Sequence, residues 1–153
     1  MTITLAGVRQ ALAARVALLS GWVEAPVAFD AFSWDAVPEA MAATTAHKAF
    51  AVGVADMVAT GERHKTHFRA RTTAVIRSLH RLLPAAAGPI ASVDAALTAE
   101  LLLIQQLDQQ WTSGGSPVEV VAYFNRSRRS TAPTGEWLLI ETEFFVDHLV
   151  NLS

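Results

Sequence analysis

The sequence predicts an α+β domain in which a four-stranded sheet of two hairpins carries two helices packed on one face, in the order α-β-β-α-β-β. Two observations predict it. Apolar residues recur every three or four positions in two segments, and they alternate with other residues in four more. The length of 153 residues suits a single core, so residues 1–153 are interpreted as one domain.

The two helices are predicted from apolar stripes. In the first, Thr4 is the expected N-cap and Gly21 the expected stop, and the stripe is Leu5, Val8, Leu12, Val16 and Leu19. In the second, about residues 90–110, the stripe is Val93, Leu97, Leu101, Ile104, Leu107 and Trp111. We expect both stripes on one sheet face, with Leu12, Val16, Leu97 and Ile104 packed against Ile76 and Phe144.

Four strands are predicted, at about residues 48–58, 68–82, 118–126 and 136–150. In the second strand, the even-numbered side chains from Phe68 to His80 are smaller and less charged than the odd-numbered ones. They are therefore expected to face the helices. Residues 127–135, between the last two strands, are predicted to form a long basic hairpin loop.

The composition limits the classes of function. The chain has 52% hydrophobic and 17% charged residues, which is typical of a globular protein, and its net charge of −2 gives no global sign of a nucleic-acid or membrane-surface protein. With no cysteine, disulfides, thiolate metal sites and cysteine nucleophiles are excluded. No signal peptide or membrane-spanning run is evident, so a cytoplasmic protein without membrane contact is expected.

Glu141 and Glu143 are the first candidates for chemistry, because they project from one side of a predicted strand about 7 Å apart. Paired carboxylates can perform acid/base hydrolysis. They can also form a charge ladder with arginines of a neighbouring strand, here Arg69, Arg71 and Arg77. The ladder is the favoured interpretation.

The remaining polar motifs give weaker signals. His64 and His67 suggest a metal site, but their spacing fits no known pattern, and a solvated polar turn is favoured. The segment 61–66 fails as a phosphate loop, because a strand follows it instead of a helix. For the basic cluster Arg126, Arg128 and Arg129, a solvated turn, a protein contact and nucleic acid all remain open. No catalytic residue, metal or cofactor is expected.

In the order of its predicted helices and strands, the chain resembles the tail terminator proteins of long-tailed bacteriophages, of the minor tail protein U type. The resemblance covers most of its length. The opening helix, the hairpin from His47 to Thr73 and the helix from Asp94 to Leu107 carry the likeness, together with the closing hairpin from Val118 to Phe144. The long loop from Phe29 to Ala46 departs from the shortest versions of the layout.

The resemblance implies a structural virion protein that caps the tail tube as a hexameric ring and joins it to the head connector. Its implied partners are further copies of itself, the tail tube protein and a head connector or stopper protein, with DNA only as passing cargo and no membrane. Its implied place is the tail–neck junction of the virion, after assembly in the host cytoplasm. The expected contacts with a neighbouring subunit or the tail tube are the loops 61–66 and 127–135, through Arg63, His64, Lys65, Arg126, Arg128 and Arg129.

Two alternatives accompany this hypothesis. One is a head-completion or neck connector protein, which would share the same kinds of surface. The other belongs to a different class, a small ligand-binding or hydrolytic α+β domain that uses the Arg/Glu face of the sheet.

Overall fold

The computed structural model describes residues 4–40, 48–82, 89–108, 110–112, 119–133 and 135–152. The helices are α1 (Leu5–Ala17), a 3₁₀ turn (Phe29–Ala31), α2 (Ala36–Ala40) and α3 (Pro89–Leu107). The strands are β1 (Trp22–Glu24), β2 (Lys48–Thr60), β3 (His67–Arg81), β4 (Gln110–Thr112), β5 (Glu119–Thr131) and β6 (Trp137–Asn151). They form one sheet in the order β1-β2-β3-β6-β5-β4, in which β1 and β2 are parallel and all other neighbours antiparallel.

The predicted four-stranded sheet in the order α-β-β-α-β-β is wrong. The sheet has six strands, because β1 and β4 each add three residues at an edge, and the 3₁₀ turn and α2 lie between β1 and β2. A strand of three residues shows too little alternation to be recognised in a sequence. The helices are not confined to one face either, because the segment with α2 covers part of the opposite face.

The two hairpins place their turns at opposite ends of the sheet. β3 and β6 pair over their full length, from His67 opposite Asn151 to Arg81 opposite Trp137. The turn between β2 and β3 lies at the Asn151 end, where the Leu152 N–H donates to the Thr66 carbonyl at 2.8 Å. The turn between β5 and β6 lies at the other end, where the Leu82 N–H donates to the Glu136 carbonyl.

β5 continues to Thr131, so the predicted loop over residues 127–135 is wrong. A bulge between Phe124 and Arg126 shifts the pairing with β6 by one residue. Side chains alternate between faces along a strand, and an extra residue therefore exchanges the faces of everything that follows it. As a result, Ser127 and Arg129 face the helices, whereas Arg126 and Arg128 face the other side.

The main core lies between the sheet and the helices α1 and α3. α1 begins after Thr4, whose hydroxyl accepts a 3.0 Å hydrogen bond from the Gly7 N–H. Leu12 and Val16 are fully buried in one cluster with Ile76 and Phe144, as the sequence predicts.

The predicted stripe of α3 is right at Ile104 and Leu107, which pack in the main core, but wrong at Val93, Leu97 and Leu101. Leu97 and Leu101 are 38% and 54% exposed, while the buried side chains are Ala96, Ala99, Glu100, Leu103 and Leu107. Four consecutive aliphatic residues, 101–104, fit more than one helical phase. The phase that forms places alanines against the sheet, which lets the helix approach it closely.

A second, smaller core covers one end of the opposite sheet face. Ala25, Phe32 and Val37 pack there on β2 and β3. The ring of Phe29 lies so close to Gly53 that a Cβ at that position would be 2.6 Å from a ring carbon. The Arg77 guanidinium stacks 4.2 Å from the centre of the same ring and donates to the Phe29 carbonyl at 2.9 Å. No described segment covers the rest of this face, here called the uncovered face, which carries charged side chains.

Candidate functional site

The uncovered sheet face holds ion pairs that cross β3, β6 and β5. Arg71 donates from Nε and Nη2 to the two carboxylate oxygens of Asp147, at 2.8 and 3.0 Å. Glu141 lies between two arginines, with Arg77 at 3.9 Å and Arg128 at 3.8 Å. Positive and negative side chains therefore alternate across the three strands.

Glu143 completes the set with an arginine and an amide. Arg126 Nη2 lies 3.3 Å from its Oε2, and Asn125 Nδ2 donates to its Oε1 at 2.5 Å. Cross-strand pairs of opposite charge each contribute about 0.2–1 kcal/mol and help to set the strand register. The ion pairs of this face therefore link β3, β6 and β5 to one another.

Arg69 lies apart from these pairs, although the sequence groups it with Arg71 and Arg77. It has no ion pair among the described residues and lines a shallow cleft at the β2–β3 turn, with Glu62, His64, His67 and Leu149. Arg63, His64 and Lys65 are exposed in the same turn. Arg69 therefore lies beside the predicted contact residues of the loop 61–66.

The other predicted contact residues do not form one cluster. Arg126 and Arg128 lie on the uncovered face, whereas Arg129 lies on the helix face and binds Glu100 of α3. Arg129 donates to Glu100 Oε2 from Nε at 2.8 Å and from Nη2 at 2.5 Å. The Ser127 hydroxyl donates to the other carboxylate oxygen. Sequence reasoning overlooked both Glu100 and its partner Ser127.

Glu100 is 3% exposed, so its charge is removed from water. A buried carboxylate is stable only with a cation or several donors, and Arg129 and Ser127 supply both. The signal in the sequence is a single acidic residue within the apolar run 99–104. The arrangement ties α3 to β5 and leaves this carboxylate no access to a substrate.

Two histidines lie on the helix face of the sheet. His80 is 2% exposed, its Nε2 lies 2.9 Å from the Ser78 hydroxyl, and the Trp22 ring meets it edge-on at 5.4 Å. Burial, followed by the charge of Lys48, lowers the pKa of His80 to about 4. A hydroxyl–imidazole pair can activate a serine nucleophile, but Ser78 is only 1% exposed and thus closed to substrates. His148 is held similarly, 2.6 Å from the Thr72 hydroxyl, and burial lowers its pKa.

We expect the stability to fall in acid because His80 must stay neutral in the folded protein. Its folded pKa is below its unfolded value of 6.5, so the contribution is complete above pH 6.5 and is lost as the pH falls to about 4. The loss is roughly 3 kcal/mol by linkage. Urea unfolding between pH 7 and pH 4 should give a shallower pH dependence for His80→Gln than for the wild type. Parallel curves for the two proteins would contradict this assignment.

No group of three or more histidine, aspartate and glutamate side chains suited to a metal ion is found among the residues the structure describes. His64 and His67 instead stack on each other, with ring centres 4.7 Å apart. Within the described ranges, no helix is both long and apolar enough to cross a membrane.

Comparison with known proteins gives a likeness in fold. No family model matches the chain, and no curated protein matches it. Among solved structures, it is similar to a chain of the virion of native gene transfer agent (GTA) particle, with a TM-score of 0.53 and 18% sequence identity. The likeness covers 91% of this chain and 84% of the other. It shows a shared fold.

Proposed function

We propose that this chain is a structural subunit of a phage-like particle, which forms a ring on the end of the tail tube and joins it to the head connector. The observation that carries the proposal is the fold shared with a chain of a gene transfer agent virion, over nearly the whole length of both. The resemblance in layout to tail terminators supports the same role. In this proposal no residue is catalytic, and Glu141 and Glu143 serve only in their ion pairs.

The shape of the subunit suits a ring. A ring subunit needs two lateral surfaces for its neighbours and two axial surfaces for the partners above and below. The turns of the two hairpins lie at opposite ends of the sheet and supply the axial surfaces. Next to the first of these turns, residues 55–59 of β2 are all exposed.

The two lateral sides both carry exposed apolar side chains. Val93, Leu97 and Leu101 are four residues apart along α3, so they form one flank on the β5 side of the molecule. Leu18 and Val23 are exposed at the other edge, where β1 ends the sheet. Exposed apolar surface of this kind marks contacts between proteins. In a head-to-tail ring, the α3 flank of one subunit would pack against the β1 edge of the next subunit.

The proposal is tested by mixing the purified protein with tail tubes and counting capped tube ends by electron microscopy. Leu101→Asp should lower the capped fraction by about tenfold or more, because it places a charge in the lateral contact. Leu102→Asp is the matched control, since Leu102 is 49% exposed on a different side of α3. Both variants should melt at the temperature of the wild type.

Three results would contradict the proposal or change its details. Tubes left uncapped by the wild-type protein would reject tail capping, and equal loss in both variants would reject the lateral contact. Binding to the head connector without binding to tubes would assign the chain to a neck or head-completion protein instead.

A further inference from the structure

The turn between β2 and β3 concentrates positive charge that forms no ion pair with any described carboxylate. Residues 61–69, here called the basic tip, contain Arg63, Lys65 and Arg69 and a single carboxylate, Glu62. None of these three cations has an ion pair within the part of the chain that the structure describes. By contrast, five arginines farther from the turn are each paired with a carboxylate: Arg71, Arg77, Arg126, Arg128 and Arg129.

The backbone holds these groups in a fixed arrangement. Gly61 opens the turn with a φ of 75°, and the His64 N–H donates to the His67 carbonyl at 3.0 Å. The stacked rings of His64 and His67 and the Arg69 guanidinium line one cleft of about 270 Å³. The Arg63 guanidinium lies 5.5 Å from the centre of the Phe68 ring. His64, His67 and Arg69 therefore share one cleft, which Glu62 also lines, while Arg63 and Lys65 are exposed in the same turn.

We infer that the basic tip binds the phosphate backbone of nucleic acid. Guanidinium, ammonium and imidazole groups are the donors that phosphate oxygens accept, and unpaired cations release counterions when they meet a polyanion. A protein contact needs apolar anchors at its centre, and the only large apolar side chain of the tip is Phe68, which is half-buried. The inference does not depend on ring formation, because a single subunit carries every group involved.

The test measures binding of a fluorescently labelled DNA duplex by anisotropy, at salt concentrations from 50 to 200 mM. Arg63→Ala/Lys65→Ala removes two unpaired cations, and Arg126→Ala/Arg128→Ala removes two that are paired with Glu143 and Glu141. The two variants therefore have the same net charge. We expect the tip variant to bind about tenfold or more weakly at 50 mM salt and its salt slope to fall by about two. The control should stay within about threefold of the wild type.

Each alternative has its own result. Absence of wild-type binding at 50 mM salt would overturn the inference, and so would equal losses in the two variants, which would indicate net charge alone. Displacement of the DNA by polyglutamate of equal charge would overturn the inference and assign the tip to an acidic protein surface. Because all substituted side chains are exposed, thermal melting should be unchanged and separates lost binding from lost folding.

Discussion

Replacing Arg129 with alanine should lower the free energy of unfolding by about 3–5 kcal/mol, the usual effect of removing one partner of a buried ion pair. The substitution leaves Glu100, which is 3% exposed, with a charge and no cation. The effect should lie nearer the lower value, because the Arg129 side chain is itself 46% exposed. Urea unfolding at neutral pH measures it directly.

Arg128→Ala is the control for this prediction. Arg128 neighbours Arg129 in β5, but its side chain is 70% exposed and its partner Glu141 is 3.8 Å away. We expect a change of less than about 0.5 kcal/mol. Adding Glu100→Gln to Arg129→Ala should restore part of the stability, because it removes the buried charge. Equal effects of the two arginine substitutions would contradict the buried pair.

Leu103→Ala should cost about 2–5 kcal/mol, the usual effect of emptying a fully buried leucine site. Leu103 is 0% exposed in the core that α1, α3 and the sheet share. Leu101→Ala, two positions earlier on the outer flank, should change stability by less than about 0.5 kcal/mol. Thermal or urea unfolding of the two variants distinguishes the observed phase of α3 from the one that the sequence pattern predicts. A larger loss for Leu101→Ala would show that the helix faces the sheet with its other side.

The long strands could be located from the sequence because apolar residues alternate with other residues over part of each one. β3 shows this well, since its even-numbered side chains from Ala70 to His80 are buried and its odd-numbered ones include four arginines. The three-residue edge strands and the segment with α2 could not be found, because no local pattern holds them in place. β1 is held by pairing with β2, β4 by pairing with β5, and the segment with α2 by packing on the sheet.

The errors on α3 and β5 have a common physical origin. Both elements have a local pattern that fits two arrangements, and contacts distant in sequence select one. On α3 the aliphatic run 101–104 is compatible with several rotations of the helix about its axis. In the observed rotation, Glu100 pairs with Arg129 of β5. On β5 the bulge before Arg126 decides which arginines face the helices, and pairing with β6 creates that bulge.

The candidate surfaces were partly recognisable in the sequence. The cations of the basic tip lie within nine consecutive residues, so their proximity needs no tertiary information. The cluster Arg126, Arg128 and Arg129 is just as compact in the sequence, yet the structure divides it between two faces. Successive side chains of a strand point to opposite faces of the sheet, so cations that are adjacent in the sequence are separated when they lie in a strand.

The central claim, that this chain is a ring-forming subunit of a virion tail, is tested most directly by the mass of the species it forms on tail tubes. Native mass spectrometry of the protein released from capped tubes should give one closed assembly of six copies. The free protein mixed with no tubes provides the reference mass. A single copy per tube end, or a continuous series of sizes without a closed form, would contradict the account.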